Sequence, residues 1–369
     1  MTTRLLVLHP IEDRVLLVDG ALPVVEDPFA AGVTVLRTLR RDGDDRIVLA
    51  EARDDRGTWG HHDLLSSVDD GVARERWQER GWLDGALRWI EEVTGGVTGA
   101  PVQLRHWGLS AVLRVGDVVL KEVPTALAHE GRITRALSEA APGRVPTVLA
   151  VDGNRFLMEA FAAADRSVEP DGLLALGQLQ RDVLASVDAP DRRLERLADD
   201  AAALTPEVLR DDGYDLAPTD GRLPPRAITD ADLDALAAMI DRLPGDIARL
   251  PPLPDTIVHG DFHVGNVAWV EGRCLLFDWG IASVSHPFMD LPIWAQWAAT
   301  GEAAYEPYFG GWGVDVHWPA HRHVALLFLA VTCVGPMHAV ADPRGAHDWA
   351  AGAQTAVLRA LAATPRPTS

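Results

Sequence analysis

His259-Gly260-Asp261-Phe262-His263-Val264-Gly265-Asn266 is followed, twelve residues after its asparagine, by Asp278-Trp279-Gly280. Chemistry accounts for the spacing. Asp261 and Asn266, five residues apart, put a carboxylate and an amide oxygen on one loop, both facing a single cleft. Val267–Val270 and Arg273–Phe277 read as two short strands turning at Glu271-Gly272. A tight hairpin of this kind returns the chain and sets Asp278 beside Asn266. Asp278 and Asn266 can then share Mg²⁺, which leaves Asp261 to accept a hydroxyl proton. These are the components that phosphoryl transfer needs, where positioning and charge neutralisation carry most of the catalysis.

The order Asp-x-x-x-x-Asn, then Asp-x-Gly, is also that of kinase catalytic loops. At these residues the chain resembles the aminoglycoside phosphotransferase family, the small-molecule branch of the protein-kinase-like fold. HGDFHVGN matches the family's H-G-D-x-x-x-x-N loop at every fixed position, and Phe277-Asp278-Trp279-Gly280 matches its metal-binding motif. The resemblance spans residues 100–340. It implies an α+β, bilobal fold, with an antiparallel N-lobe sheet carrying one helix and a mostly helical C-lobe. It also implies ATP or GTP and Mg²⁺ as cofactors, with Asp261 catalytic and Asn266 and Asp278 as metal ligands.

The upstream half holds the other groups such an enzyme needs. Val118-Val119-Leu120-Lys121 is an apolar strand ending in lysine, as the family's phosphate-contacting strand does. Of the 34 basic residues, all but Lys121 are arginines. A compact ammonium between phosphates is not replaceable by a forked guanidinium, so the lone lysine reads as functional rather than as a surface cation. Glu130 opens the next helix and is the expected ion-pair partner of Lys121. Glu122 competes for that role, but as a strand neighbour it points to the opposite face. Leu157-Met158-Glu159-Ala160-Phe161 resembles the hinge strand whose backbone holds the adenine edge, so Glu159 and Phe161 are candidate nucleotide contacts. No glycine-rich loop precedes them; the corresponding turn is Arg105-His106-Trp107-Gly108-Leu109-Ser110, with Ser110 a candidate phosphate contact.

Each of these residues has a plainer reading. Aspartate and asparagine in loops usually cap helices or make turns, and only the joint occurrence with Asp278 and Lys121 outweighs that. His259 reads as a packing residue that holds the loop, and the resemblance implies a structural role for Asp290, which matches a family aspartate that braces the catalytic loop from a helix N-terminus. His317, His321 and His323 read as surface or packing histidines, since 321 and 323 point to different sides of a helix. Trp294 and Trp297 suit either an acceptor pocket or the core. Asp290, Glu302, Glu306 and Asp315 are candidate contacts for a cationic acceptor.

Net charge is −20, from 54 acidic against 34 basic residues, which argues against a nucleic-acid partner. Cys274 and Cys333 form neither a disulfide framework nor a C-x-x-C pair, and reduced thiols point to the cytoplasm. The uncharged run Val324–Ala341 contains Thr, Gly, Pro and His and reads as a buried helix, so no membrane partner is expected. The expected organisation is a strand-rich module over 1–70 and a linking helix over 71–100. A kinase-like N-lobe over 101–161 and a helical C-lobe over 162–369 complete it. Within the first module, 29–41 has helix-like apolar spacing. Only eight residues separate Asp278 from Pro287 and no Ala-Pro-Glu follows, which disfavours a protein kinase. A small polar molecule bearing a hydroxyl is the expected acceptor. The rival from another class is a non-catalytic nucleotide-binding module.

Overall fold

Leu5, Leu6, Val7 and Leu8 alternate between two apolar clusters. Leu5 and Val7 meet Val33, Val35, Val48 and Ala50, while Leu6 and Leu8 meet Val15, Leu22, Leu36 and Leu49. A strand with no polar face belongs inside a sheet rather than at its edge, and β1 (Thr2–Leu8) sits there. The first sheet runs β4-β5-β1-β2-β6, with β3 also on β1. Its other strands are β2 (Val15–Leu16), β3 (Val24–Val25), β4 (Val33–Asp42), β5 (Asp45–Ala52) and β6 (Trp59–Gly60). The helix expected over 29–41 is therefore wrong: Val33–Asp42 is a strand paired antiparallel to β5. Val35 and Leu36 are buried on opposite faces, so a two-sided strand mimics the apolar spacing of a helix.

The computed structural model describes residues 2–8, 14–19, 21–29, 32–42, 45–53, 58–60, 75–96, 99–161, 169–210, 226–298, 301–339 and 343–364. Residues 61–70, the end of the strand-rich module expected over 1–70, lie outside them. Two units are distinct: Met1–Pro124 with Arg155–Ala160, and Thr125–Asn154 with Phe161–Ser369. The first module and residues 102–122 thus fall in one unit.

After α1 (Trp82–Thr94), shorter than the expected helix and closing at Gly95, the first unit holds β7 (Val102–Trp107), β8 (Ser110–Val115), β9 (Val118–Glu122) and β11 (Arg155–Glu159). They follow the order β11-β9-β8-β7, all antiparallel. A further strand, β10 (Val148–Asp152), and the helix expected to open at Glu130, α2 (Glu130–Ala140), fall in the second unit.

Helices dominate that second unit. α3 (Glu169–Val183) is followed over 191–210 only by short helical turns, including α4 (Leu197–Asp200) and α5 (Pro206–Leu209). α6 (Asp230–Ile247) starts at Thr229, whose side chain and that of Asp232 form a capping box. Two short strand pairs then carry the motif region. β12 (Thr256–Val258) pairs with β15 (Ser283–Ser285), and β13 (Val267–Val270) with β14 (Arg273–Leu276). α7 (Leu291–Trp297), α8 (Tyr305–Gly311), α9 (Arg322–Ala339) and α10 (Pro343–Ala363) complete the unit. Among the described residues no helix is long and apolar enough to cross a membrane, and Val324–Phe328 of α9 are buried in the helical core.

Candidate active site

The hairpin expected at 267–277 forms as read. Glu271 and Gly272 both take positive φ, 50° and 80°, the pattern of a two-residue type I′ connection. Val267 opposes Leu276, and the Phe277 N–H donates to the Asn266 carbonyl at 3.1 Å. Asp278 therefore leaves the hairpin one residue beyond a bond to Asn266. It does so at φ 72°, a conformation unusual for a residue with a side chain.

Asp261 and Asn266 are tied across the loop. The Asn266 Nδ2 donates to the Asp261 carbonyl at 2.8 Å, which leaves the amide oxygen as the end turned away from that bond. The Asn266 N–H donates to the His263 carbonyl at 2.9 Å. The Asp261 side chain is 36% exposed, so it is open to a second molecule, and His263 Nε2 lies 3.7 Å from its Oδ2. His263 Nδ1 accepts the Gly265 N–H at 2.9 Å.

Behind the loop the groups are fully buried. His259 Nε2 donates to the Phe277 carbonyl at 2.9 Å, and its Nδ1 accepts the Asp261 N–H at 3.3 Å. These two bonds require the neutral Nε2–H tautomer. The ring also packs on Trp279, 4.5 Å between centroids, so His259 links the two motifs as a structural residue. Asp290 accepts the N–H of His259 at 3.0 Å, the N–H of Gly260 at 2.8 Å and Gln180 Nε2 at 3.0 Å. Burial pushes its carboxyl up to about 7; the two backbone N–H bonds oppose that, and the charge of Asp261 adds to it. Asp290 is thus the expected brace, and its place in the interior removes it from the candidate acceptor contacts.

Gly260 has φ 81°, and a Cβ there would stand 2.5 Å from the Ile281 carbonyl oxygen. The glycine of the motif is therefore a requirement of the backbone. Gly280 has a different reason. A Cβ on it would lie 3.2 Å from Glu130 Oε2, so the buried Glu130 carboxylate rests against the Asp-Trp-Gly turn.

Sequence reasoning missed two members of this interior. Tyr308 on α8 sets its hydroxyl 2.6 Å from Gln180 Oε1 and 2.9 Å from the Pro287 carbonyl. Gln180 passes the tie on to Asp290. The partners are 110 and 128 residues apart, and neither Gln nor Tyr sits in a motif, so nothing local marked them. Other candidates are placed by packing. Trp294 is buried, stacked on Phe262 at 5.1 Å, and belongs to the core. His323 is buried and bonded to Asp246 at 3.0 Å, and Glu302 is paired with Arg322 at 2.8 Å.

In the first unit Lys121 is buried, 6% exposed, on β9 between Val112 of β8 and Phe156 of β11. Its neighbour Glu122 faces away from it, as expected, and accepts Trp82 Nε1 at 2.8 Å. Ser110 is buried at the start of β8, and Glu159 is exposed at the end of β11. The Ala160 N–H, next in the hinge-like stretch, is already donated to the Asp117 carbonyl at 2.8 Å. Phe161, in the second unit, places its ring 5.0 Å from that of Phe277.

The donor set of the second unit fits Mg²⁺: one carboxylate and one amide oxygen are hard ligands, and magnesium completes its shell with phosphate and water oxygens.

Solved structures share the fold at low identity. A choline/ethanolamine kinase family protein from Mesorhizobium loti aligns over 77% of this chain and 95% of its own, at 19% identity and TM-score 0.54. A putative fructosamine-3-kinase from Thermobifida fusca aligns over 75% and 99%, at 17% identity and TM-score 0.51. The choline kinase LicA from Streptococcus pneumoniae aligns over 76% and 98%, at 13% identity and TM-score 0.52. No curated protein matches the chain. The bilobal kinase-like fold expected from the catalytic loop is thus the fold observed. The model of the phosphotransferase enzyme family, APH, matches residues 89–325, which hold both motifs and the strand bearing Lys121, and the chain belongs to that family.

Proposed function

We propose that the protein transfers the terminal phosphoryl group of ATP or GTP to a hydroxyl of a small polar molecule. The observation that carries this reading is the tie of Asn266 to Asp261, with the hairpin returning Asp278 to the same loop. Asp261, partly exposed on a loop whose backbone is fixed from behind, orients the acceptor hydroxyl and takes its proton as the oxygen attacks. Asn266 and Asp278 would hold Mg²⁺, which supplies charge neutralisation on the phosphates when bound. Lys121 is the proposed phosphate contact, and Ser110, Glu130, Glu159 and Phe161 are the other residues we assign to the nucleotide. His259 and Asp290 hold the loop and take no proton in the reaction.

Buried reduced thiols at Cys274 and Cys333 support a cytoplasmic setting. The acidic balance supports a cationic acceptor, an amino sugar or amino alcohol rather than an anionic sugar phosphate. The division into a module over 1–70, a linker over 71–100 and two lobes at 101–161 and 162–369 is proposed on the same footing.

The test is a phosphate-transfer screen with the purified chain and Mg²⁺, using ATP and GTP against aminoglycosides, amino sugars, sugars and amino alcohols. We expect transfer to at least one hydroxylated amine. Nucleotide binding with no transfer to any acceptor class would favour the non-catalytic module instead.

A further inference from the structure

The turn that stands where a glycine-rich loop is absent, Arg105–Ser110, is held by the N-terminal module through a set of bonds that the proposed reaction does not use. Gln103 and His106 lie on β7, and β4 of the first sheet runs past them. Gln103 Oε1 accepts the Val35 N–H at 2.9 Å, and its Nε2 donates to the Val35 carbonyl at 3.1 Å. One side-chain amide thus does for β4 what a neighbouring strand would do. The same Nε2 lies 3.1 Å from His106 Nδ1, and His106 Nε2 lies 2.9 Å from the Leu36 carbonyl. The carbonyl fixes the tautomer: Nε2 donates and Nδ1 accepts. Burial pushes the His106 ring down to about 4, so it stays neutral and keeps this arrangement at physiological pH.

Both strands are irregular where they meet. β4 shifts register between Val35 and Arg37, and β7 between Gln103 and Arg105. Bulges re-aim side chains and backbone groups, and here two of them present Val35, Leu36, Gln103 and His106 to one another.

The consequence reaches Lys121 through the sheet. His106 opposes Ala111, and Ala111 opposes Glu122, so the three share one face. Trp82 covers that face, with its ring 5.5 Å from the His106 ring and its Nε1 bonded to Glu122. Lys121, one residue from Glu122, stands on the other face. The strand that carries it is therefore fixed from behind by a residue of α1, whose N-cap Gly81 donates its N–H to Glu51 Oε2 on β5 at 3.0 Å.

We propose that the N-terminal module is a built-in positioning device for nucleotide binding: Gln103 and His106 lock the β7–β8 turn to β4, and Trp82 locks Glu122 behind Lys121. These are positioning residues; none of them touches the nucleotide. The inference rests on the reading of Lys121 as the phosphate contact.

The experiment titrates the full chain with MgATP and with MgGTP by calorimetry, well below the unfolding temperature of each variant. A role confined to stability leaves the affinity of the folded protein unchanged. His106→Leu and Trp82→Phe are expected to weaken binding of the preferred nucleotide at least fivefold. His106→Gln, whose amide reaches the Leu36 carbonyl from the same place, is expected to remain within twofold of the parent. Lys121→Ala serves as the control for the underlying reading. If Lys121→Ala weakens binding while His106→Leu and Trp82→Phe do not, the positioning role is wrong and the nucleotide assignment stands. If Lys121→Ala binds as the parent does, the assignment of Lys121 falls and the positioning role with it. Should His106→Leu fail to fold, Trp82→Phe, which keeps an aromatic ring and removes one donor, decides the matter.

Discussion

The carboxylate of Asp290 accepts the backbone N–H of Gly260 at 2.8 Å, across thirty residues of chain. With the second bond to His259, it satisfies two adjacent buried backbone donors just before Asp261. Asp261, the residue proposed to act on the acceptor, is therefore aimed by its own backbone, which Asp290 holds.

Burial pushes the Asp290 carboxyl up to about 7, well above the roughly 3.9 of an unfolded chain. A group whose folded value is raised contributes stability in full below its unfolded value and loses it as pH rises through the folded one. Urea unfolding from pH 4 to 8 should show the parent losing stability relative to Asp290→Asn across that window. Parallel curves for the two proteins would show that Asp290 is ionised throughout.

Gly260 has no room for a side chain. Alanine there faces both the positive φ and the Ile281 carbonyl at 2.5 Å. Gly260→Ala should destabilise the fold by about 2 kcal/mol or more. Chemical denaturation reads this directly, and a change below about 0.5 kcal/mol, the range usual for a neutral surface substitution, would contradict the strain.

Tyr308→Phe removes the hydroxyl that bridges Gln180 and the Pro287 carbonyl. The expected loss of stability is about 1–3 kcal/mol, the usual penalty for leaving a buried polar group unsatisfied. Gln180→Leu should lose more, because it also strips a donor from Asp290. Equal unfolding midpoints for parent and Tyr308→Phe would remove this hydroxyl from the brace.

Lys121→Arg keeps the charge but changes its shape. If the lysine touches phosphates, transfer should fall by roughly a hundredfold, the scale of losing one electrostatic contact in a transition state. Steady-state rates at saturating acceptor measure it, and near-parental activity would reduce the solitary lysine to an accident of composition.

The loop and hairpin that carry the proposed catalytic residues were legible because their spacing is local. Asp261, Asn266 and Asp278 lie within eighteen residues of one another, and turn chemistry at Glu271-Gly272 sets their relation. Asp290 was legible as a brace through the family resemblance, and its bonds to the His259 and Gly260 N–H groups bear that out. Gln180 and Tyr308 were not, since only tertiary packing brings α3, α8 and the loop together. The first module misled in one place: β4 is buried on both faces, and a two-sided strand has no alternation to mark it. The bonds of Gln103 and His106 to β4 were invisible as well, because they depend on two matched irregularities in strands some seventy residues apart. Composition pointed to Lys121 through its solitude, and the structure adds that the residue is buried on the strand expected to carry it.

The central claim is that Asp261 handles the acceptor's proton. Calorimetric titration with Mg-nucleotide, followed by a transfer assay on the same preparation of Asp261→Asn, tests it most directly. Nucleotide affinity should stay within about threefold of the parent while transfer falls by roughly 10²–10⁴, the range of a lost general base. Transfer at the parental rate by Asp261→Asn would contradict the account.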